Sequence, residues 1–390
     1  MCGHLQPLAL SDPRPQYTMS SPSIGSFPPR SVAVVLGTRP EIIKLAHVIR
    51  LLGKAAVVLH TGQHYDRGLS GTFLDAFGLG EPHAYLGVGG ETRGQQIGMA
   101  VRALDDQLSE LRPAAVVVQG DTNTALAGGL AANAAEAILV HVEAGLRSYD
   151  RRMPEEHNRV LVDHVGDLLC APTDVSRKNL LEEGIPESRI RVTGNTIVEA
   201  VHELMPDPSE RARLLDGHNL TTGGFVLSTF HRPENVDDPA RFRTVLGELA
   251  SLHLPVLLPL HPRSMARAEE HGLGDLLRAI RVIEPIGYRE FLGLGAESAF
   301  LVSDSGGVQE EVSIYKRSVI VVRRSTERPE VLGTFAELVE PGPGISDIAG
   351  RWTADIPGLH QRLGSIPSPY GDGTASARIV REIGDLIVAP

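Results

Sequence analysis

The feature that most constrains this chain is a series of short apolar runs with no polar alternation, each ending in glycine or a polar side chain. Residues 31–37 (SVAVVLG), 55–62 (AAVVLHTG), 114–120 (AAVVVQG) and 137–145 (AILVHVEAG) are of this kind. A strand with one face in water alternates, so a strand that is apolar throughout is buried on both faces, as in a parallel sheet covered by helices. Helix-like segments separate the runs, as at 40–52 and 122–135. The pattern continues through 168–172, 189–194 and a helix from Asn195, then breaks over 205–222. It restarts at 225–230, 255–261, 281–285, 300–304 and 318–323. Strand–helix alternation run twice predicts an α/β protein of two doubly wound, Rossmann-like domains, over 31–205 and 222–366. The stretch between them reads as a linker with a short helix, and residues 1–30, rich in proline and serine, read as a disordered tail.

Charge and composition narrow the partners. A net charge of −11 argues against a nucleic-acid or acidic-membrane surface. With 1 Trp, 7 Tyr and 9 Phe there are too few aromatic rings for a base-stacking platform. The two cysteines, Cys2 and Cys170, can form neither a disulfide framework nor a thiolate zinc site. No apolar run is long enough for a signal-peptide core or a membrane span, which makes the cytoplasm the expected compartment.

The common cofactor motifs are missing. Gly293-Leu294-Gly295 and Gly342-Pro343-Gly344 lack the third glycine of a dinucleotide fingerprint, and Gly53-Lys54 is followed by alanine, so it is no phosphate-binding P-loop. Ser303-Asp304-Ser305-Gly306-Gly307 lacks the leading glycine of a nucleophile elbow. Neither a redox cofactor nor a metal is called for.

What remains is positional. In open α/β sheets the ligand crevice lies beyond the carboxyl ends of the strands, and here those ends carry the polar residues. After the first run, Gly37-Thr38-Arg39-Pro40 places proline at a helix start, with outward backbone N–H groups and Arg39 beside them. That is an anion site, with Lys44 one turn further on. Later ends supply Asp121, Glu143 and, at the start of the next helix, Glu155. Carboxylates crowded at one rim raise one another's pKa, which suits paired acid and base chemistry. Each has a structural alternative: Asp121 as a helix N-cap, Glu155 as a first-turn acid favoured by the dipole, Arg39 as a solvated arginine. The second half adds His231, His261 and a Ser305-Gly306-Gly307 turn into a helix, with Glu311 one turn on to take ribose hydroxyls. Arginines at 323, 324 and 328 close the set, and the whole suggests focused binding of a phosphorylated ligand. A lone histidine such as His261 is more often structural than catalytic.

Taken in order, GTRPEIIK, GDTNT, HVEAGLRS, MPEEHNR, TGNTIVEA, DSGGVQEE and TERPE make the chain, from about residue 31 onward, resemble the non-hydrolysing UDP-N-acetylglucosamine 2-epimerases. The resemblance implies a two-domain architecture like that of GT-B glycosyltransferases, with UDP between the domains and a final helix (369–390) crossing back onto the first. It implies a cofactor-free inversion at C2: elimination of UDP to a 2-acetamidoglucal, then re-addition with protonation on the other face. Asp121, Glu143 and Glu155 are the implied acid/base carboxylates, with His231 as a further catalytic group. Arg39, Lys44, Ser305, Gly306, Gly307, Glu311 and Arg328 are the implied substrate contacts, and the partner implied is a UDP-sugar on a homodimer. A hydrolysing epimerase, a diacetamido-uronate epimerase, a glycosyltransferase and a UDP-sugar sensor share the cleft and remain the alternatives. Two departures stand out: the segment from Thr61 to Asp66, where some members bind a second UDP-sugar as activator, and Pro233 in the histidine motif.

Overall fold

The computed structural model describes residues 30–63 and 67–388; the proline-rich tail and His64–Asp66 lie outside the described residues. Two parallel sheets account for the two blocks of alternation. The first holds β1 (Val32–Leu36), β2 (Ala56–His60), β3 (Ala84–Tyr85), β4 (Ala115–Gln119), β5 (Ile138–Val142), β6 (Leu168–Ala171) and β7 (Ile190–Val192). Its order is β3-β2-β1-β4-β5-β6-β7. The second holds β8 (Val226–Thr229), β9 (Val256–Pro259), β10 (Arg281–Ile283), β11 (Phe300–Ser303), β12 (Val319–Val322) and β13 (Ala336–Val339). Its order is β10-β9-β8-β11-β12-β13.

Every named pairing is parallel, for instance Val32 with Ala56 and with Ala115 across β1. Both faces of the inner strands are buried: Val32, Val34 and Leu36 face one apolar cluster, and Ala33 and Val35 face another. This is why the runs do not alternate. In each sheet the order reverses beside the first strand, between β1 and β4 and between β8 and β11. Such switch points open a crevice at the strand ends.

The join between the sheets carries a helix, Pro208–Gly217, opened by a reciprocal capping box of Asp207 and Glu210. The final helix, Ala375–Val388, returns to the first sheet's side, where Ile379 and Ile383 pack with Ile42 and Leu45. Strands β3 and β13 have no counterpart among the expected runs. Both are edge strands of two and four residues, and their side chains are mostly only half-buried, so no continuous apolar signal marks them. No helix among the described residues is long and apolar enough to cross a membrane.

Candidate active site

The two switch points supply the site from opposite sides. At the first, the turn after β1 enters the helix Arg39–Leu52, with proline in its first turn and no side-chain cap on Thr38. Gly37 has to be glycine: a Cβ there would stand 2.0 Å from Thr61 Oγ1 and 2.4 Å from Thr124 Oγ1. The turn is fastened from below by Glu41. Its buried carboxylate accepts hydrogen bonds from Gly37 N (2.9 Å), Thr38 Oγ1 (2.8 Å) and Thr122 Oγ1 (2.7 Å). One carboxylate therefore ties the turn after β1 to the turn after β4. Burial pushes Glu41 up to about 7, against the pull of those hydrogen bonds. Gln63 adds a second tie, its Oε1 accepting from the backbone N and the hydroxyl of Thr124, both at 2.9 Å. Arg39 makes no hydrogen bond or ion pair among the described residues, which leaves its guanidinium available.

After β4, the cap expected at Asp121 falls one residue later. Thr122 caps the helix Asn123–Ala134 by accepting from Ala125 N. Asp121 is thus released from a structural task and instead pairs with Arg159, whose Nε lies 3.1 Å from Oδ2. Arg159 stands on the helix Pro154–Val165, one turn beyond Glu155, and also pairs with Glu156. The neighbours Glu155 and Glu156 divide in role. Glu156 is buried and binds the backbone of Ser148 and Tyr149, whereas Glu155 is half-buried with no partner among the described residues.

Glu143 follows β5 directly and adopts φ +69°, a left-handed backbone that is uncommon for a residue with a Cβ. The strain turns its side chain out of the strand register and into a buried cluster of four charges. Lys44 Nζ donates to Glu143 and lies 2.9 Å from Glu310 Oε2; Arg328 Nε donates to Glu310 at 2.7 Å, and its Nη2 is 3.4 Å from Glu143 Oε1. Lys44 and Glu143 come from the first sheet's side, Glu310 and Arg328 from the second's, so the ion pairs span the cleft. Asn195 Nδ2 joins at 3.1 Å from Glu310 Oε1. Burial pushes Glu143 up, with Lys44 opposing. Burial acts on Glu310 as well, but Arg328 and Lys44 together outweigh it and hold that carboxylate down. Glu327 extends the cluster: it pairs with Arg323 and Arg328, and Arg159 on the other side helps keep it ionised. Through Glu327 the Asp121–Arg159 pair and the Lys44–Glu143 pair belong to one chain of alternating charge.

At the second switch point β11 ends at Ser303, and Asp304 leads into the helix Gly306–Tyr315 through Ser305, whose hydroxyl caps nothing. A Cβ on Gly306 would stand 2.7 Å from Arg328 Nη1 and 3.1 Å from Glu327 Oε1, so a side chain there would push the Arg328 guanidinium off its ion pairs. Gly307 is looser, the nearest atom being Glu311 Oε1 at 3.6 Å. Glu311 is buried, accepts from the Tyr288 hydroxyl at 2.8 Å, and leaves its Oε2 without a partner. Burial pushes it up to about 7. His231, after β8, is mostly exposed with Nδ1 3.1 Å from Asp304 Oδ1. His261 has a structural task, its Nδ1 accepting from Arg263 N to cap a helix.

The geometry joins Lys44, Glu143 and Arg328 directly, seats His231 beside the Ser305–Gly307 turn, and holds Asp121 through Arg159. It brings neither Arg39 nor Glu155 into contact with the rest. Sequence reading passed over Glu41, Arg159, Asp304, Glu310 and Glu327, although every one of them sits inside a motif already singled out.

Two parallel sheets, with glycine turns at both switch points and carboxylates between them, give the architecture of the GT-B-like epimerases. The profile of the family described as UDP-N-acetylglucosamine 2-epimerase matches residues 53–384, and the chain belongs to that family. It is 38% identical over 362 residues to the UDP-N-acetylglucosamine 2-epimerase of Methanocaldococcus jannaschii, covering 90% of this chain and 98% of that one. It is 34% identical to the UDP-2,3-diacetamido-2,3-dideoxy-D-glucuronate 2-epimerase of Pseudomonas aeruginosa, covering 91% and 99%. The crystal structure of the M. jannaschii UDP-GlcNAc 2-epimerase in complex with UDP-GlcNAc and UDP superimposes with a TM-score of 0.81, over 91% of this chain and 99% of that one.

Proposed function

We propose that this protein interconverts UDP-N-acetylglucosamine and UDP-N-acetylmannosamine without hydrolysis. A base takes the C2 proton, the C2–H electron pair becomes the C1=C2 bond of a 2-acetamidoglucal, and the C1–O pair departs with the diphosphate. UDP then attacks C1 while a second acid protonates C2 from the opposite face. Asp121, Glu143 and Glu155 supply the acid and base at C2. Arg39, His231 and the Ser305-Gly306-Gly307 turn hold the departing diphosphate, Glu311 takes the ribose, and Lys44 and Arg328 complete the cleft. The domain limits 31–205 and 222–366 belong to this reading, as do a cytoplasmic location and a homodimer, the last resting on the family resemblance.

One observation carries the proposal. Glu143, buried on a φ +69° backbone, lies between Lys44 and Arg328 where the two sheets meet. Burial eases a proton onto its carboxyl and the flanking cations favour the ionised form, so both states come within reach during turnover. The same two cations suit a leaving diphosphate, whose negative charge grows as the C1–O bond breaks. UDP-GlcNAc and UDP are the ligands of the M. jannaschii relative, and we carry them to this cleft. Proton NMR of the protein with UDP-GlcNAc tests the outcome. Accumulation of UDP-N-acetylmannosamine to an equilibrium mixture is expected; free N-acetylmannosamine with stoichiometric UDP would move the protein to the hydrolysing branch.

A further inference from the structure

Asp304 is a heavily used carboxylate that the proposed reaction leaves unassigned. It is fully buried at the end of β11, immediately before the Ser305-Gly306 turn. Its oxygens accept from the backbone N of His231 (3.2 Å), the backbone N of Arg232 (3.0 Å) and Asn235 Nδ2 (3.1 Å), all in the loop after β8. The Arg232 guanidinium donates back to the Asp304 carbonyl at 3.0 Å. Three such donors already hold the loop. The fourth contact, His231 Nδ1 at 3.1 Å from Oδ1, adds nothing to the loop backbone and acts only on the ring.

We infer that Asp304 is a positioning residue that fixes the imidazole of His231 with Nδ1 inward and Nε2 presented to the phosphate end of the site. The inference rests on the role proposed above for His231. The chemistry is that of a carboxylate-oriented histidine: an ionised, acceptor-only Asp304 allows only a protonated Nδ1 against it, so in the neutral ring Nε2 is left bare, and it donates to a phosphate oxygen once it takes up a proton. The His231 side chain is 57% exposed while Asp304 is 0% exposed, so the bare nitrogen is at the solvent end of the ring. Nε2 has no partner among the described residues. Asp304 itself leads through Ser305 into the helix Gly306–Tyr315. One carboxylate thereby ties the histidine to the strand end from which that turn departs. Without it the ring could turn over and offer the opposite nitrogen.

Long-range ¹H–¹⁵N NMR of the full chain tests this directly, the His231 signals being those absent from His231→Gln. In the wild-type protein with the ring neutral, Nδ1 is expected to carry the proton and Nε2 to be bare; the reverse tautomer would overturn the inference without any variant. In Asp304→Asn the amide can donate as well as accept, so the expected result is a mixed tautomer. Its kcat should fall roughly 10- to 100-fold, a substantial part of what a positioned acid or base contributes, and its affinity for UDP should fall no further than that of His231→Gln. A loss of UDP affinity greater than that of His231→Gln, or an unchanged kcat, would overturn it. Full turnover by His231→Gln would instead defeat the reading on which the inference rests, while the tautomer of the wild-type ring would still report on Asp304.

Discussion

Replacing Lys44 by methionine removes the one cation that the first sheet contributes to the cleft cluster, at nearly constant volume. Glu143 and Glu310 then share Arg328 alone, all three remaining buried. Breaking a buried ion pair from one side costs about 3–5 kcal/mol, because the abandoned charge keeps its desolvation penalty. The variant has a partial escape, which is to bind a proton. Burial already pushes Glu143 up in the wild-type protein, and losing Lys44 pushes it further. A carboxyl whose folded-state pKa lies above its unfolded value binds more protons when folded, so stability falls as pH rises between the two values. The slope is about 1.4 kcal/mol per pH unit for one proton. The deficit of Lys44→Met relative to wild type should therefore shrink between pH 8 and pH 6, by at most about 2.8 kcal/mol for one proton over those two units. Urea unfolding followed by circular dichroism at both values measures it. Adding Glu310→Gln restores one carboxylate to one cation and should recover at least half the loss at pH 8. An equal deficit at both pH values, or no rescue in the double variant, would refute the electrostatic reasoning.

Other perturbations separate the parts of the site. Glu41 and Glu311 are both pushed up to about 7, so each contributes stability present at acid pH and lost as pH rises from 4.5 through about 7. For Glu41 this is on the order of 3 kcal/mol, and Glu41→Gln should flatten that stretch of the stability–pH curve. Gly306→Ala should cost about 1–3 kcal/mol through the clash with Arg328 and weaken UDP binding measured by calorimetry, whereas Gly307→Ala should fold normally. Asp121→Asn and Glu155→Gln should lower kcat by roughly 10²- to 10⁴-fold. Glu155→Gln should leave the melting temperature unchanged, since the carboxylate has no partner among the described residues to lose.

The two-sheet architecture was legible because burial on both faces leaves a mark that no surface strand shares: Val32–Leu36 and Ala115–Gln119 carry no polar residue on either side before their ends. Edge strands such as Ala84–Tyr85 carry no such mark. The candidate site was legible where a strand end is followed by a residue with no local structural task such as a helix cap, as at Glu143 and His231. It was not legible where a charged residue is consumed by another. Glu310 and Glu311 are adjacent on one helix and equally polar on paper, yet one faces Lys44 and Arg328 while the other faces Tyr288. Which does which depends on how two distant segments meet, with 266 residues separating Lys44 from Glu310. Asp121 and Thr122 show the local version of the problem, since either could cap the helix and only the register of the turn decides.

The central claim is that C2 loses and regains a proton while UDP stays in the cleft. NMR of the protein with UDP-GlcNAc in heavy water, without added metal or nicotinamide cofactor, tests it most directly. The account predicts deuterium at C2 in newly formed UDP-N-acetylmannosamine and, more slowly, in recovered UDP-GlcNAc, with no build-up of free UDP. Epimerisation that keeps the original C2 proton would contradict it.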